Sequence, residues 1–105
     1  MSANDPPRLL DALFRTDAMR EIFSDRGRLQ GMLDFEAALA RASARAGLIP
    51  GPAAVQIESQ CRAGLFDVVV LSRGAAAAGN PAIPMVKALT ALVAGKDPDA
   101  ARFVH

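Results

Sequence analysis

The stretch Met32–Pro50, MLDFEAALARASARAGLIP, decides the fold of this chain. Followed at 100° per residue from Asp25 onward, Leu29, Met32, Leu33, Leu39 and Ala40 gather on one side, and Gln30, Asp34, Arg41 and Arg45 gather on the other. That spacing predicts an amphipathic helix over about 25–47. Asp25 offers it an N-cap acceptor. Gly47 suits the left-handed residue that closes a helix, and Pro50 prevents its resumption. One residue breaks the division of faces: Glu36 falls inside the apolar stripe.

Upstream, residues 1–8 are polar with two prolines and read as a disordered lead-in. Leu9, Leu10, Leu13 and Phe14 then supply a turn or two of apolar surface, and Thr16 can cap a short helix through Met19, Ile22 and Phe23. Downstream, Pro52 fits the first turn of a third helix that carries Ala54, Ile57 and Cys61 on one face. The segment Leu65–Ser72, LFDVVVLS, is ambiguous. Three valines favour a buried strand, whereas Asp67 ahead of a run closed by Gly79 favours a capped helix. No second strand candidate exists to pair with it, so helix is the expectation. In Gly79–Val93, GNPAIPMVKALTALV, the residues Ala82, Met85, Val86, Leu89, Leu92 and Val93 keep helical spacing. Pro84 is awkward there: it implies a start at Pro84, or a distorted first turn around Asn80. Asp97-Pro98 reads as the cap and first residue of a short last helix. The fold class is therefore all-α, about five helices in one helical domain over residues 9–105.

Composition supports that class and excludes others. The chain has 105 residues, just over half of them apolar, with five Phe and neither Trp nor Tyr. Ala, Leu and Val suit close helix packing, and aromatic platforms for stacking bases are scarce. A net charge of +1, with basic and acidic residues interspersed, removes the electrostatic case for nucleic acid or an anionic membrane surface. One cysteine, Cys61, cannot form an internal disulfide. The N-terminus lacks a signal pattern and the apolar runs fall far short of a membrane span, so a cytoplasmic location is expected.

Few residues stand out as chemistry. Glu36 reads either as an acid or base with a raised pKa or as a satisfied scaffold carboxylate; the second is preferred, because buried polar groups are usually satisfied. Asn80 reads as a helix cap, as a polar group offered to an anionic substrate beside helix-terminal N–H donors, or as both. Cys61 reads as a core thiol, and Arg41 and Arg45 as solvated charges or rim contacts. One His and one Cys make no zinc site, so no metal is expected, and neither phosphate-loop nor nucleophile-elbow motifs occur.

The helix with Glu36 in its stripe, the Gly47-Leu48-Ile49-Pro50 that ends it, and the Gly79-Asn80-Pro81 that opens a second apolar helix resemble the N-terminal region of 3-carboxy-cis,cis-muconate cycloisomerases, of the fumarase/aspartase superfamily. The resemblance runs from about Leu9 to His105 and implies a good deal. Members are several times longer, so the chain is expected to stop before the catalytic helical bundle, to hold no catalytic residue and to be inactive alone. The run Ala101–His105 resembles the lead into a signature of the form His-x-x-x-Thr-Ser-x-Asp, which gives His105, with Asn80, a substrate-binding role in a complete enzyme. Glu36 carries over as scaffold only. The resemblance implies lactonisation of an anionic di- or tricarboxylate without a cofactor, by a homotetramer. Related adenylosuccinate lyases carry Arg-His-Asp where Gly79-Asn80-Pro81 stands here, a departure that counts against a nucleotide substrate. The alternatives are another superfamily lyase, or a stand-alone helical interaction module. A last expectation follows from losing the bundle: the Met85, Leu89, Leu92 and Val93 stripe should stand partly uncovered and drive association.

Overall fold

The computed structural model describes residues 17–104, with side chains from Ser24 onward. The lead-in, the apolar turns at 9–14, the Thr16 cap and His105 lie outside the described residues. Five α-helices follow in order: α1 (Asp17–Arg45), α2 (Gly51–Gln60), α3 (Val68–Ala78), α4 (Ala82–Lys96) and α5 (Pro98–Ala101). A 3-10 turn over Ala63–Leu65 joins α2 to α3, and no strand occurs among the described residues.

Helix α1 corrects one expected boundary. Asp25 does not cap a new helix; α1 runs through it without a break for 29 residues, about 44 Å at 1.5 Å per residue. An N-cap needs a carboxylate turned back on its own backbone, and the Asp25 carboxylate instead accepts from the Ser72 hydroxyl of α3 at 3.0 Å. The end of α1 matches the expectation. Gly47 sits at φ 75°, Leu48 N–H reaches Ser43 C=O at 2.9 Å, and Gly47 N–H reaches Ala44 C=O at 3.0 Å. This is the paired closure of a Schellman cap.

The valine run is helical. Asp67 is extended at φ −88°, ψ 100°, and its Oδ1 accepts from Val70 N–H at 3.1 Å, which starts α3. Only Val68 of the three valines is buried. Pro84 is accommodated without distortion. Helix α4 begins at Ala82, so Pro84 is its third residue, and the first four N–H groups of a helix have no intrahelical acceptor in any case. The two helices cross closely at this point, since a Cβ on Gly74 would lie 3.1 Å from Pro84 Cβ.

One apolar cluster ties the helices together. Leu33, Leu89 and Val93 are its fully buried centre, and Leu29, Ile57, Val68 and Met85 surround them. Helix α1 packs most extensively on α2, and α4 is covered by α2, α3 and α5. The stripe of α4 is thus not the uncovered face: Met85 is 3% exposed and Leu89 and Val93 are 0% exposed. Helices α2, α3 and α5 cover most of it, and Leu92, the fourth residue of the stripe, stays half-buried. The large apolar side chains that do face solvent among the described residues lie off that stripe, at Phe35, Leu48, Val55, Leu65, Val69, Val70 and Ile83.

Candidate functional site

A groove of about 470 Å³ lies between the first half of α1, the face of α3 and the turn Gly79–Pro81. Its size falls in the range of small-ligand sites. Leu29, Met32, Val68, Leu71 and Met85 form an apolar floor, and Asp25, Arg28, Ser72 and Asn80 supply the polar groups. Helical spacing explains the wall: Asp25, Arg28, Leu29 and Met32 recur at intervals of three and four along α1, so they share one side of it.

Asn80 performs the capping role. Gly79, at φ 71°, ends α3 in the left-handed conformation that glycine adopts without strain. The chain then turns, and Asn80 Oδ1 accepts from Ala82 N–H at 2.7 Å. Because the carbonyl oxygen is occupied, the two amide N–H donors of Asn80 remain for the groove that the residue lines. The accompanying expectation of helix-terminal donors is largely lost. In the first turn of α4, Ala82 N–H is taken by Asn80, Pro84 has none, and Met85 N–H returns to Pro81 C=O at 3.3 Å. Only the N–H of Ile83 is left to meet an anion.

Opposite Asn80, Asp25 is held from two sides. Its Oδ2 accepts from the Ser72 hydroxyl at 3.0 Å, and its Oδ1 lies 3.7 Å from the Arg28 guanidinium. Nothing in the sequence reading marked Ser72 or Arg28. Their pairing with Asp25 depends on how α3 folds back on α1, which no local pattern reports.

Glu36 sits away from this groove. It is 8% exposed, beside a small void of about 20 Å³ walled by Ile49, Ile57 and Phe103. No described buried side-chain oxygen lacks a partner, so the carboxylate is satisfied there. Its charge is felt by Cys61, whose thiol is buried and donates to Ile57 C=O at 3.2 Å. Burial first, then Glu36, Glu58 and Asp34, push that thiol up from 9.0 to about 11, with Arg41 opposing. A thiol so protonated is a poor nucleophile.

A measurable pH dependence follows. Because the folded protein holds the thiol proton to higher pH than the unfolded chain, the associated stability is complete below about pH 9 and is lost as pH rises through about 11. Urea titrations should show stability falling across that window by up to about 2 kcal/mol, and Cys61→Ala should remove that part of the fall. An identical fall in both proteins would assign it to other groups.

One further residue differs from its sequence reading. Gln30, placed on the solvated face, bonds the backbone across the α2–α3 connection: its Nε2 donates to Cys61 C=O at 3.2 Å and its Oε1 accepts from Ala63 N–H at 2.8 Å. Arg41 pairs with Glu58 of α2, with both side chains nearly half exposed. Arg45 stays exposed in the last turn of α1, where a cation complements the helix dipole. Among the described residues, no group of three His, Cys, Asp or Glu is placed to hold a metal ion, and no helix is long and apolar enough to cross a membrane.

Comparison with known proteins gives this geometry a context. No family model matches the chain. A 3-carboxy-cis,cis-muconate cycloisomerase from Pseudomonas putida is 60% identical over 98 residues, which are 93% of this chain and 23% of that protein. The crystal structure of the Pseudomonas putida 3-carboxy-cis,cis-muconate lactonizing enzyme superposes with a TM-score of 0.77 at 59% identity, over 93% of this chain and 22% of that one. A nitrosuccinate lyase from Streptomyces davaonensis is 45% identical over 82 residues, 78% of this chain and 17% of that protein. The chain thus spans about a fifth of the length of the relatives it matches, and its fold is fumarase/aspartase-like. By sequence and by fold, it matches the N-terminal region of the 3-carboxy-cis,cis-muconate cycloisomerases.

Proposed function

We propose that this chain is the N-terminal helical region of a cycloisomerase that lactonises 3-carboxy-cis,cis-muconate, a cytoplasmic homotetramer of protocatechuate breakdown by the β-ketoadipate route. The observation that carries the reading is the 60% identity sustained across 93% of the chain. In the reaction, a carboxylate of the substrate adds to its own double bond to form the ring C–O bond, and an enzyme acid delivers a proton to the neighbouring carbon. No redox partner enters, and no metal or organic cofactor is required by that balance of atoms. Catalysis then depends on holding a flexible anion with its carboxylate against the alkene, and on donors aimed at the charge. The described residues offer no acid or base at the groove beyond Asp25, which is already bonded, so the region's share of the work is to bind and orient. Asn80 contributes an amide donor fixed by its cap, and His105 joins it in the complete enzyme. The partner is thus a small unsaturated polycarboxylate rather than a nucleic acid or a membrane.

A second reading, a lyase of the same fold acting on a succinate derivative, draws support from the 45% identity to nitrosuccinate lyase. Lactonisation assays on a protein of the relatives' length carrying this region separate the two. Such a protein should convert 3-carboxy-cis,cis-muconate, and the 105-residue chain alone should not. Asn80→Asp keeps the cap acceptor and removes the amide donor. It should leave the melting temperature unchanged while lowering kcat/KM by about 10- to 100-fold, as expected from ~1.5–3 kcal/mol for a hydrogen bond to a charged group. Unchanged kcat/KM would reduce Asn80 to a cap, and turnover of nitrosuccinate in place of muconate would select the lyase.

A further inference from the structure

The groove poses an electrostatic question that its apolar floor and its cap do not answer. An anionic ligand needs a positive counterpart, the chain as a whole carries only +1, and the start of α4 keeps only the Ile83 N–H once Asn80 and Pro81 have taken the others. Of the described residues that line the groove, Arg28 is the one cation. Arg41 is tied to Glu58 on another face, and neither Arg26 nor Arg45 reaches the lining.

The state of Arg28 is that of a residue with capacity left. Its side chain is 77% exposed, and its one ionic neighbour, Asp25, lies 3.7 Å away, beyond hydrogen-bond reach. Asp25 cannot follow it outward, because the Ser72 hydroxyl bonds its other oxygen from α3. The guanidinium therefore keeps its planar fork of donors, the geometry that matches a carboxylate in two parallel hydrogen bonds. Asp25 also sets what can lie beside it. A second carboxylate placed deeper, against Asp25, meets like charge in a partly buried setting. The floor of Leu29, Met32 and Met85 accepts an uncharged, unsaturated body instead.

We propose that Arg28 is the carboxylate-binding residue of this groove, gripping one carboxylate of an unsaturated polycarboxylate together with the Asn80 amide, while the ligand's apolar chain lies on Leu29, Met32 and Met85. The proposal rests on the reading of the groove as substrate-facing and adds the residue that supplies its charge. It predicts a salt-sensitive interaction that a neutral side chain of similar reach abolishes.

The test is a chemical-shift titration of the 15N-labelled 105-residue chain with trans-aconitate, an unsaturated tricarboxylate, at low ionic strength. The expected result is movement of the Gly79 and Ser72 amides and of the Asn80 side-chain NH₂. Arg28→Met should weaken the apparent Kd at least tenfold, Arg28→Lys should restore part of it, and Arg45→Met, which leaves the groove intact, should match the parent. Arg28 is exposed, so a preserved spectrum elsewhere will confirm the fold of each variant. If Arg28→Met binds as tightly as the parent while the Asn80 signals still move, Arg28 is not the ligand contact and the substrate-facing reading of Asn80 survives. Equal weakening by Arg28→Met and Arg45→Met shows a general charge effect and overturns the proposal. Absence of any groove shift in the parent overturns it as well, and kcat/KM of Asn80→Asp in the long protein then judges the broader reading separately.

Discussion

Leu33→Ala should come close to unfolding the chain at room temperature. Leu33 is 0% exposed at the centre of the cluster, between α1 and the elements that cover it. Removing the isobutyl group loses its transfer free energy and leaves a cavity, which together cost about 3–5 kcal/mol for a fully buried leucine. A domain of this size has about 5–15 kcal/mol in all, at roughly 0.05–0.15 kcal/mol per residue. Ala-rich helices such as α1 bury little area per residue, which puts this chain toward the lower end of that span. Collapse into the gap is limited, because the neighbouring Ala37 and Ala40 have no reach with which to fill it. Phe35→Ala is the matched control: Phe35 is larger but 65% exposed, so its loss should cost less than about 1 kcal/mol. Urea melts followed by helical circular dichroism will check both. Similar midpoints for the two variants would mean that the cluster is not centred where the structure places it.

The parts of this fold that were legible in the sequence are those written by local chemistry. The stripe of α1, the Gly47 closure, the Asp67 and Asp97 caps and the Gly79 stop each depend on residues within one or two turns of one another. The side chains do what their type predicts: Asp97 Oδ1 accepts from Asp99 and Ala100 N–H, as Asp67 does from Val70. Two expectations failed for one shared physical reason, the arrival of a distant element. Asp25 lost its capping role to the hydroxyl of Ser72, 47 positions on. The α4 stripe was judged uncovered because the contribution of the short α5 and of α2 to its burial cannot be read from spacing. In the candidate site, Asn80 was legible as a polar residue between a stop and a start. Arg28 and Ser72 were not, since they become partners only when α3 returns along α1.

Gln30 is the sharpest case of such a long-range role, and it leads to the second large effect. Gln30→Leu should destabilise the chain by about 2–4 kcal/mol, because it orphans two main-chain groups at once, at ~1–3 kcal/mol for each unsatisfied buried group. Both belong to the narrow connection between α2 and α3, where Cys61 C=O and Ala63 N–H have no helix ladder to fall back on. Gln30→Glu separates the two halves of this role. The introduced carboxylate still accepts from Ala63 N–H, but it cannot donate to Cys61 C=O, and it stands one turn from the Asp34 carboxylate that Gln30 now bonds at 2.8 Å. The Cys61 C=O and the Asp34 carboxylate disfavour its charge and together outweigh the single Ala63 N–H bond that favours it, so its folded pKa should rise above the unfolded value of about 4.3. The sign is then fixed: relative to the parent, the Glu variant should be least impaired at pH near 4, where the carboxyl is protonated and can donate, and should lose further stability as pH rises through its folded pKa. Gln30→Leu, with nothing to titrate, should show the same deficit at both ends of that range. A pH-independent deficit for Gln30→Glu would mean that the donor half of the contact contributes nothing. The connection would then be held by Ala63 N–H alone.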